Sequence, residues 1–346
     1  MLEEGHADVV MEEAEELLVA ENVSALLTGT TARLQGCSLL LDGKVVSRRS
    51  LSPMTDLNFV DFPAYELLDF SRYQSSYYGK EKVRYATVFT SKGCPYTCGY
   101  CPYPFGFGAR LIYRAPERVG ADIERLNREF GVQQILFRDQ VFTINPKHAR
   151  AICEDLIRRD LGITWVCETR YDLVNPDLLA LMKRSGCIEV HYGLESADEE
   201  MFAKVAKTDG PKSLDLFQRA IGWAREAGLK VHVHLIVGMP DESVDSIQNT
   251  KKWLRRVKPD SVQLAYFVPY PGTPLFSELR VSRELGDVES IDWERLGAFS
   301  DPVLPSRHMT ISQIRRARDD LAVGWRYSLA DRVFNRLRKF AGIAAQ

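Results

Sequence analysis

From about residue 85 onward, strand-like segments and segments with the apolar periodicity of a helix alternate along the chain. Runs rich in β-branched and aromatic residues predict six strands, in YATVFTS, QQILF, ITWVCE, CIEVHYG, KVHVHLIVG and SVQLAYFVPY. The stretches between them have helical periodicity, as in PERVGADIERLNREF, PKHARAICEDLIRR, PDLLALMKRSG, residues 198–227 and SVDSIQNTKKWLRRV. Such alternation indicates βαβ units and a parallel sheet. An open doubly wound sheet and a partial barrel both fit this pattern.

The sequence on either side of this repeating pattern has a different character. The first part predicts a short helix, roughly Glu12–Leu27, and an extended stretch, SLLLDGKVV, that turns at Asp42 and Gly43. A proline-containing, tyrosine-rich region without periodicity follows it and predicts a connector. We therefore divide the chain into an N-terminal segment (1–45), the connector (46–82), a main α/β domain (83–280) and a C-terminal irregular and helical extension (281–346).

The C-terminal extension ends in a predicted helix. Thr310 and Gln313 have the spacing of a capping box, and residues 311–340 interleave arginines with aromatic residues. One interpretation is an interfacial helix that meets anionic lipid or a hydrophobic substrate. The other is an amphipathic helix that closes the base of the main domain or packs on the N-terminal segment. We favour packing because mixed charge is typical of the solvated face of a helix.

Composition excludes several classes of protein. The net charge is −2, so no global feature predicts binding to nucleic acid or to a membrane surface. No apolar run reaches the length of a membrane span. The acidic N-terminus lacks the basic and then apolar pattern of an export signal. We expect a cytoplasmic protein.

The seven cysteines are too few for a disulfide framework in a chain of 346 residues. Four of them are scattered among apolar neighbours, which predicts small buried side chains: Cys37, Cys153, Cys167 and Cys187. The other three, Cys94, Cys98 and Cys101, form Cys-x3-Cys-x2-Cys directly after the first strand of the repeating pattern.

Three thiolates on one short loop can hold three irons of a cubane cluster and leave the fourth iron without a protein ligand. A structural zinc site is one alternative, but such sites normally use a second pair of ligands, and the nearest downstream histidine is His148. Accidental clustering of structural cysteines is the other alternative. The sequence therefore predicts one [4Fe–4S] cluster, held by Cys94, Cys98 and Cys101, with an open iron.

This motif, with Tyr100 just before the last cysteine, resembles the radical S-adenosylmethionine (SAM) superfamily over about residues 85–275. The resemblance implies an α/β fold with a partial (β/α)6 TIM-like barrel, flanked by a short N-terminal α/β remnant and a C-terminal helical extension. In that superfamily the open iron binds the amino and carboxylate groups of SAM. An electron from the reduced cluster then releases a 5′-deoxyadenosyl radical.

The resemblance also implies which residues hold SAM, because ligands of parallel α/β folds bind at the carboxyl ends of strands. Tyr100 is assigned to this cofactor site. Asp139 matches the position that receives the methionine amino group, although a solvated aspartate in a loop is the alternative. Arg170 stands where a guanidinium pairs with the methionine carboxylate. A surface ion pair of Arg170 with Asp172 is the alternative.

Later strand ends complete the predicted SAM site. Glu195 and Ser196 resemble the residues that contact the ribose, and a helix N-cap at Ser196 is compatible with that contact. Gly238 and Pro240 resemble the adenine-side motif, where the backbone comes close to the ligand. Ordinary turn chemistry is the alternative for the glycine and the proline.

The order of the motifs resembles the cobalamin-associated branch of the superfamily, and ADVVMEEAEELL with QGCSLLLDGKVV resembles the tail of its cobalamin domain. The Asp-x-His-x-x-Gly motif of that domain is absent from the sequence. We therefore expect residues 1–45 to be a remnant of that domain or a docking segment. A naturally short chain, a misplaced start and a fragment all fit. Cobalamin, where the reaction needs it, would come from a separate cobalamin-binding partner.

The implied activity is reductive cleavage of SAM at a single cluster to functionalise an unactivated carbon. A cobalamin-dependent C-methyltransferase is the first candidate. The alternatives are an oxidoreductase that resembles the anaerobic magnesium-protoporphyrin monomethyl ester cyclase and, in another class, a non-catalytic metal-binding module. The implied partners are a small-molecule or lipid-like substrate and a reductant such as flavodoxin or ferredoxin.

Overall fold

The computed structural model describes residues 7–11, 16–41, 43–48, 56–58, 60–75, 82–104, 108–205, 213–286, 291 and 297–324. The strands in chain order are β1 (Val9–Met11), β2 (Cys37–Leu41), β3 (Lys44–Arg48), β4 (Gln74–Ser75), β5 (Val83–Val88), β6 (Ser91–Lys92), β7 (Ile112–Tyr113), β8 (Gln134–Phe137), β9 (Thr164–Thr169), β10 (Cys187–Glu195), β11 (Lys230–Val237) and β12 (Ser261–Tyr266). The helices are α1 (Glu16–Leu27), α2 (Pro116–Phe130), α3 (Pro146–Arg159), α4 (Pro176–Arg184), α5 (Glu199–Val205), α6 (Leu214–Glu226), α7 (Val244–Val257), α8 (Pro274–Val281) and α9 (Ile311–Gly324).

Six parallel strands form the central sheet in the order β12-β11-β10-β9-β8-β5. The short strand β4 pairs with the outer edge of β5 in the antiparallel direction. The sheet curls into a half-barrel, so the predicted α/β class with a partial (β/α)6 barrel is confirmed. All six carboxyl ends meet at one rim, which is where this architecture places its ligands.

The two faces of the sheet differ in chemistry because successive side chains of a strand point to opposite faces. Val190, Tyr192, Val231 and Val233 belong to the main buried core, together with the apolar faces of the helices. The residues between them in β10 and β11, such as His191, lie on the other face. The inner face of the half-barrel is therefore partly polar and suited to polar ligands.

Helix caps explain where several helices begin. The Asn145 side chain accepts hydrogen bonds from the first turn of α3, and Asn175 does the same for α4; each helix has proline at its first position. Thr273 caps α8, followed by Pro274, in the same way. Threonine followed by proline is a sufficient sequence signal for this helix start.

The predicted helical stretch across residues 198–227 was wrong as a single element. The structure divides it into α5 and α6, and residues 206–212 between them lie outside the described residues. Ser213 accepts hydrogen bonds from the backbone N–H groups of Asp215 and Leu216 and so begins α6 afresh. A serine inside an apolar periodic stretch can therefore mark a second N-cap.

The N-terminal segment forms its own small antiparallel sheet, β1-β2-β3, beside α1. Ala25, Leu34, Cys37 and Leu39 form a separate buried cluster there. The described part of the predicted helix spans Glu16–Leu27, and residues 12–15 and Asp42 lie outside the described residues. The assignment of this segment to a cobalamin-type domain stays a prediction.

The connector packs against the main domain through aromatic rings. Phe62, Tyr65 and Phe70 each contact the ring of Phe130 at the end of α2, with ring centroids 5.3–6.3 Å apart. The Tyr65 hydroxyl donates a hydrogen bond to the Thr87 carbonyl at 3.1 Å. The described part of the connector thus covers the outer side of the sheet next to β5.

Helix α9 opens with the predicted capping box, because the Thr310 N–H donates to Gln313 Oε1 and the Gln313 N–H donates to Thr310 Oγ1. Ile314 and Leu321, one face of the helix, are buried in the main core. The described part of the helix lies against α7, β11 and β12. Residues 325–340 of the predicted helix lie outside the described residues.

The four scattered cysteines are each at most 1% exposed, as predicted. Burial raises the pKa of the Cys153 thiol to about 12. These thiols are therefore inert core side chains. Within the described ranges, no helix combines the length and the apolar character needed to cross a membrane.

Candidate active site at the carboxyl ends of the strands

The three motif cysteines lie on the loop that follows β5. Cys94 and Cys98 are buried, and Cys101 is half-buried. The Cys94 N–H donates to the Gly108 carbonyl at 3.1 Å, and the Cys101 N–H donates to the Cys98 carbonyl at 3.1 Å. The donor set suits an iron–sulfur cluster, since it offers three soft sulfur ligands on one compact loop.

A glycine and a pair of short antiparallel strands hold the start of this loop. Strands β6 and β7 pair just before Gly93. Gly93 has φ +94°, and a Cβ there would lie 1.9 Å from the Arg110 carbonyl oxygen. The turn that delivers Cys94 therefore requires glycine for both its backbone conformation and its close approach.

Tyrosines within the loop connect it to two other strand ends. The Tyr100 hydroxyl donates to Glu195 Oε1 at 2.7 Å. Burial, and then the Glu195 charge, raise the pKa of Tyr100 well above its usual value, so the phenol stays a donor. The Arg170 guanidinium lies over the Tyr96 ring, 4.0 Å from its centroid. Tyr96 is not among the residues predicted from the sequence.

Asp139 follows β8 and is 1% exposed, so the alternative of a solvated aspartate is wrong. Its carboxylate accepts hydrogen bonds from the Thr90 N–H, from Thr90 Oγ1 at 2.8 Å and from Ser91 Oγ at 2.5 Å. Burial raises the pKa of Asp139, and this effect outweighs the hydrogen bonds from Thr90 and Ser91, which lower it. Asp139 thus fixes the segment that leads into the cysteine loop. Its contact with the methionine amino group stays a prediction.

Arg170 follows β9 and forms a bidentate ion pair with Asp172, with Nε–Oδ1 at 2.9 Å and Nη2–Oδ2 at 2.6 Å. The predicted alternative partner is therefore present, but both side chains are buried rather than at the surface. Among the described residues, the buried Nη1 of Arg170 has no hydrogen-bond partner. A buried donor of this kind fits a carboxylate ligand.

Glu195 ends β10 next to an irregularity in the strand register, and Ser196 follows it. Glu195 has φ +64°, an uncommon conformation for a non-glycine residue. It lines a small cleft together with Arg170. Ser196 is buried and lies 3.3 Å from Thr250 by their hydroxyl oxygens. Asp198, not Ser196, caps α5, because the Met201 N–H donates to Asp198 Oδ1.

Gly238 and Pro240 lie in the loop that follows β11. Gly238 has φ +90°, and its N–H donates to Glu242 Oε2 at 2.5 Å. The Pro240 carbonyl accepts from the Arg307 N–H at 2.7 Å. Glu242 is fully buried, and burial raises its pKa to about 8. Glu242 was not predicted from the sequence, although it lies in VGMPDES, close to Gly238 and Pro240.

The predicted residues fall into two groups. The cysteine loop reaches Glu195 through Tyr100 and reaches Arg170 through Tyr96, so these parts meet directly. Asp139 joins them through Thr90 and Ser91. Ser196, Gly238 and Pro240 lie at neighbouring strand ends, and their own hydrogen bonds go to the surrounding loops and helices.

Comparison with known proteins agrees with this geometry. Residues 88–254 match the model of the radical SAM superfamily. The chain is 30% identical over 311 residues to an uncharacterized methyltransferase of Pyrococcus horikoshii, which covers 89% of this chain and 65% of the relative. It is 30% identical over 302 residues to the anaerobic magnesium-protoporphyrin IX monomethyl ester cyclase of Rubrivivax gelatinosus, which covers 86% of this chain and 49% of that enzyme.

Among solved structures, the radical SAM methyltransferase TsrM of Kitasatospora setae, with cobalamin and a [4Fe–4S] cluster bound, has a similar fold. The TM-score is 0.66 at 17% identity, over 80% of this chain and 54% of TsrM. The chain thus spans between about half and two thirds of the length of these relatives. The chain therefore contains a radical SAM domain, and its homologues and structural neighbours include methyltransferases of the cobalamin-associated branch.

Proposed function

We propose that this radical SAM enzyme cleaves SAM reductively and transfers a methyl group to an unactivated carbon. The observation that carries the proposal is the compact loop of three cysteine side chains that follows the carboxyl end of β5. Cys94, Cys98 and Cys101 would hold a [4Fe–4S] cluster, which supplies the electron for SAM cleavage when it is bound.

The residues around the loop have separate tasks in this proposal. Arg170 would bind the methionine carboxylate through Nη1, while Asp172 holds its other nitrogens. Asp139 would receive the amino group from its buried position. Glu195 would accept hydrogen bonds from the ribose hydroxyls while it keeps the bond from Tyr100, because a carboxylate accepts several hydrogen bonds. Ser196, Gly238 and Pro240 would line the ribose and adenine side.

Burial supports radical chemistry in this place. Cys94, Cys98, Asp139 and Glu195 are each less than 10% exposed. A site with little access to water protects a reactive product of SAM cleavage from side reactions. The protein then binds and orients the cofactors and the substrate, and the cofactors supply the electron and the methyl group.

Methyl transfer is favoured over ring closure by the similarity to the methyltransferase of Pyrococcus horikoshii over most of this chain. The similarity to the cyclase of Rubrivivax gelatinosus keeps an oxidative cyclisation as the second candidate. In both cases we propose a small-molecule or lipid-like substrate and a flavodoxin or ferredoxin as reductant. For methyl transfer we also propose a cobalamin-binding partner.

Product analysis tests the proposal. The protein is reconstituted anaerobically with iron, sulfide and cobalamin, reduced, and supplied with SAM that carries a labelled methyl group. We expect 5′-deoxyadenosine and S-adenosylhomocysteine from the wild type and neither from Cys98→Ala, with Cys167→Ala as the control for loss of a buried thiol. 5′-Deoxyadenosine without S-adenosylhomocysteine, in a sample that also contains a methylcobalamin-loaded cobalamin-binding partner, would favour the cyclase. Bound zinc without iron, and no product, would favour the non-catalytic module.

A further inference from the structure

Three of the six histidines of the chain lie together on the inner face of the half-barrel, away from the cysteine loop. His191 belongs to β10, and His232 and His234 belong to the neighbouring strand β11. His191 pairs directly with His232 in the sheet. Their neighbours Val190, Val231 and Val233 face the helices. The alternation of the strands therefore turns all three imidazoles to the inner side.

The three rings are close enough to share one ion. One ring nitrogen from each histidine lies within 4.8 Å of those of the other two. The ring centroids are 4.6 Å apart for His191 and His232, 4.7 Å for His232 and His234, and 5.6 Å for His191 and His234. Imidazoles that converge in this way match the three-histidine donor set of zinc sites with an open position.

Neighbouring side chains orient the rings and supply charge. Ser261 Oγ lies 2.6 Å from His232 Nδ1, which leaves Nε2 of that ring as the ligand atom. The fully buried Glu189 places Oε1 3.4 Å from His191 Nε2 and 3.8 Å from His232 Nδ1. A buried carboxylate beside two imidazoles offsets the charge of a bound cation.

We propose that His191, His232 and His234 form a second metal site, which binds a divalent first-row transition ion of the Zn²⁺ type. The site is separate from the cysteine loop. His191 lies four residues before Glu195 along β10, about 13 Å at the rise of an extended strand. The three imidazoles leave one position of a tetrahedral ion for Glu189 or for an oxygen or nitrogen atom of a substrate.

Cobalt titration tests this site in a chain whose cysteine loop cannot compete. The full chain carries Cys94→Ala, Cys98→Ala and Cys101→Ala together, and Co²⁺ is added without oxygen. We expect one equivalent to bind, with the visible d–d bands of nitrogen-ligated Co²⁺ and without the near-ultraviolet band of a cobalt thiolate. Zn²⁺ should displace it.

Histidine variants in the same background identify the ligands. His232→Asn keeps a group that can bond to Ser261 but removes Nε2, and His234→Ala removes a whole ring. Each should weaken Co²⁺ binding by more than about tenfold, because loss of even an outer-shell partner weakens metal sites by that much. The exposed His308 provides the control, and His308→Ala should bind Co²⁺ as the parent does. Far-ultraviolet circular dichroism reports folding.

A second measurement uses the protein with its cysteines intact. After reconstitution with iron and sulfide and equilibration with Zn²⁺, zinc content should fall in His234→Ala while iron content stays the same. The proposal is overturned if no Co²⁺ spectrum develops in a folded chain, or if binding survives unchanged in His232→Asn and His234→Ala. It is equally overturned if the zinc content of the intact protein does not depend on His234.

Discussion

At the scale of single residues, the candidate site depends on contacts that connect the cysteine loop to distant parts of the chain. Tyr100 reaches Glu195, and Tyr96 stacks beneath Arg170. Gly93 lets the loop turn against the Arg110 carbonyl. The three cysteines therefore occupy a loop that is fixed at its start and held along its length.

Gly93→Ala should disrupt this loop. The new Cβ would lie 1.9 Å from the Arg110 carbonyl oxygen, and φ is +94°. We expect loss of most of the bound iron after anaerobic reconstitution and a fall of about 3 kcal/mol in the free energy of unfolding. Gly108→Ala is the matched control, because Gly108 also has positive φ but has open space around its Cβ position. Equal iron content in the two variants would contradict this role.

Tyr100→Phe should weaken SAM binding while it leaves the cluster in place. The substitution removes only the hydroxyl that donates to Glu195. A hydrogen bond to a charged group contributes about 1.5–3 kcal/mol, so we expect the Kd for SAM to rise roughly tenfold or more, with unchanged iron content. Tyr85→Phe is the control, because it removes the hydroxyl of another tyrosine, whose ring contacts Tyr73. Unaltered SAM affinity in Tyr100→Phe would show that the contact does not position Glu195.

The sequence predicted the residues of the motif better than the contacts between them. Cys94, Cys98 and Cys101 are recognisable because three identical ligands stand within eight positions. The stacking of Tyr96 on Arg170 joins two residues far apart in the chain, so no local pattern contains it. Glu242 could not be predicted because only its burial distinguishes it from the solvated acidic residues nearby, and the sequence does not show burial.

At the scale of elements, the loop after β11 is stabilised by a buried carboxyl group. Glu242 accepts the Gly238 N–H, and Ser306 Oγ donates to the Glu242 carbonyl at 2.7 Å. Helix α9 covers the same loop, since Ile314 lies 3.0 Å from the Cβ position of Gly238. The end of β11, the loop and α9 therefore depend on each other.

The stability of this unit should depend on pH through Glu242. The folded protein keeps the proton up to a pKa of about 8, whereas the unfolded chain releases it near 4.5. Between these values the folded state binds more protons, so stability falls as pH rises. Glu242→Gln cannot ionise, so its stability relative to wild type should increase by about 3 kcal/mol from pH 5 to pH 8. Urea unfolding at both pH values measures this.

The exposed Glu226 supplies the control for this pH dependence. Glu226→Gln should follow the wild-type profile within about 0.5 kcal/mol, as expected of a surface substitution. A pH profile of Glu242→Gln that runs parallel to the wild type would contradict a protonated Glu242 in the folded state.

Ile314→Ala should loosen α9 from the barrel. The side chain is fully buried against the main core and the Gly238 loop. Truncation of a buried isoleucine to alanine costs about 2–5 kcal/mol, and urea unfolding measures the loss. Arg316→Ala, on the exposed side of the helix, should change the free energy of unfolding by less than about 0.5 kcal/mol. Similar losses in both variants would argue against packing through one face.

The helices and strands that could be predicted are those with a clear periodic segment of apolar residues and with recognisable capping residues. All six parallel strands were found, because alternating runs recur between helices. The first predicted strand, YATVFTS, extends too far, since β5 ends at Val88 and Ser91 begins the separate strand β6. Apolar composition cannot show that break, which arises because Thr90 and Ser91 turn to bond Asp139.

At the scale of the whole molecule, the curled sheet brings six strand ends to one rim. Periodicity left a doubly wound sheet and a partial barrel open, because both are built from the same βαβ units. The choice rested on the resemblance carried by the cysteine motif, and the structure confirms it. The half-barrel also creates a partly polar inner face, which the sequence shows only as alternation within KVHVHLIVG.

The most direct test of the account is the electron paramagnetic resonance spectrum of the reduced, reconstituted protein, recorded before and after addition of SAM. We predict the signal of a reduced [4Fe–4S] cluster, a change in that signal when SAM binds, and loss of the signal in Cys98→Ala. A cluster signal that SAM leaves unchanged, or one that persists in Cys98→Ala, would contradict a cluster held by three cysteines with one iron open to SAM.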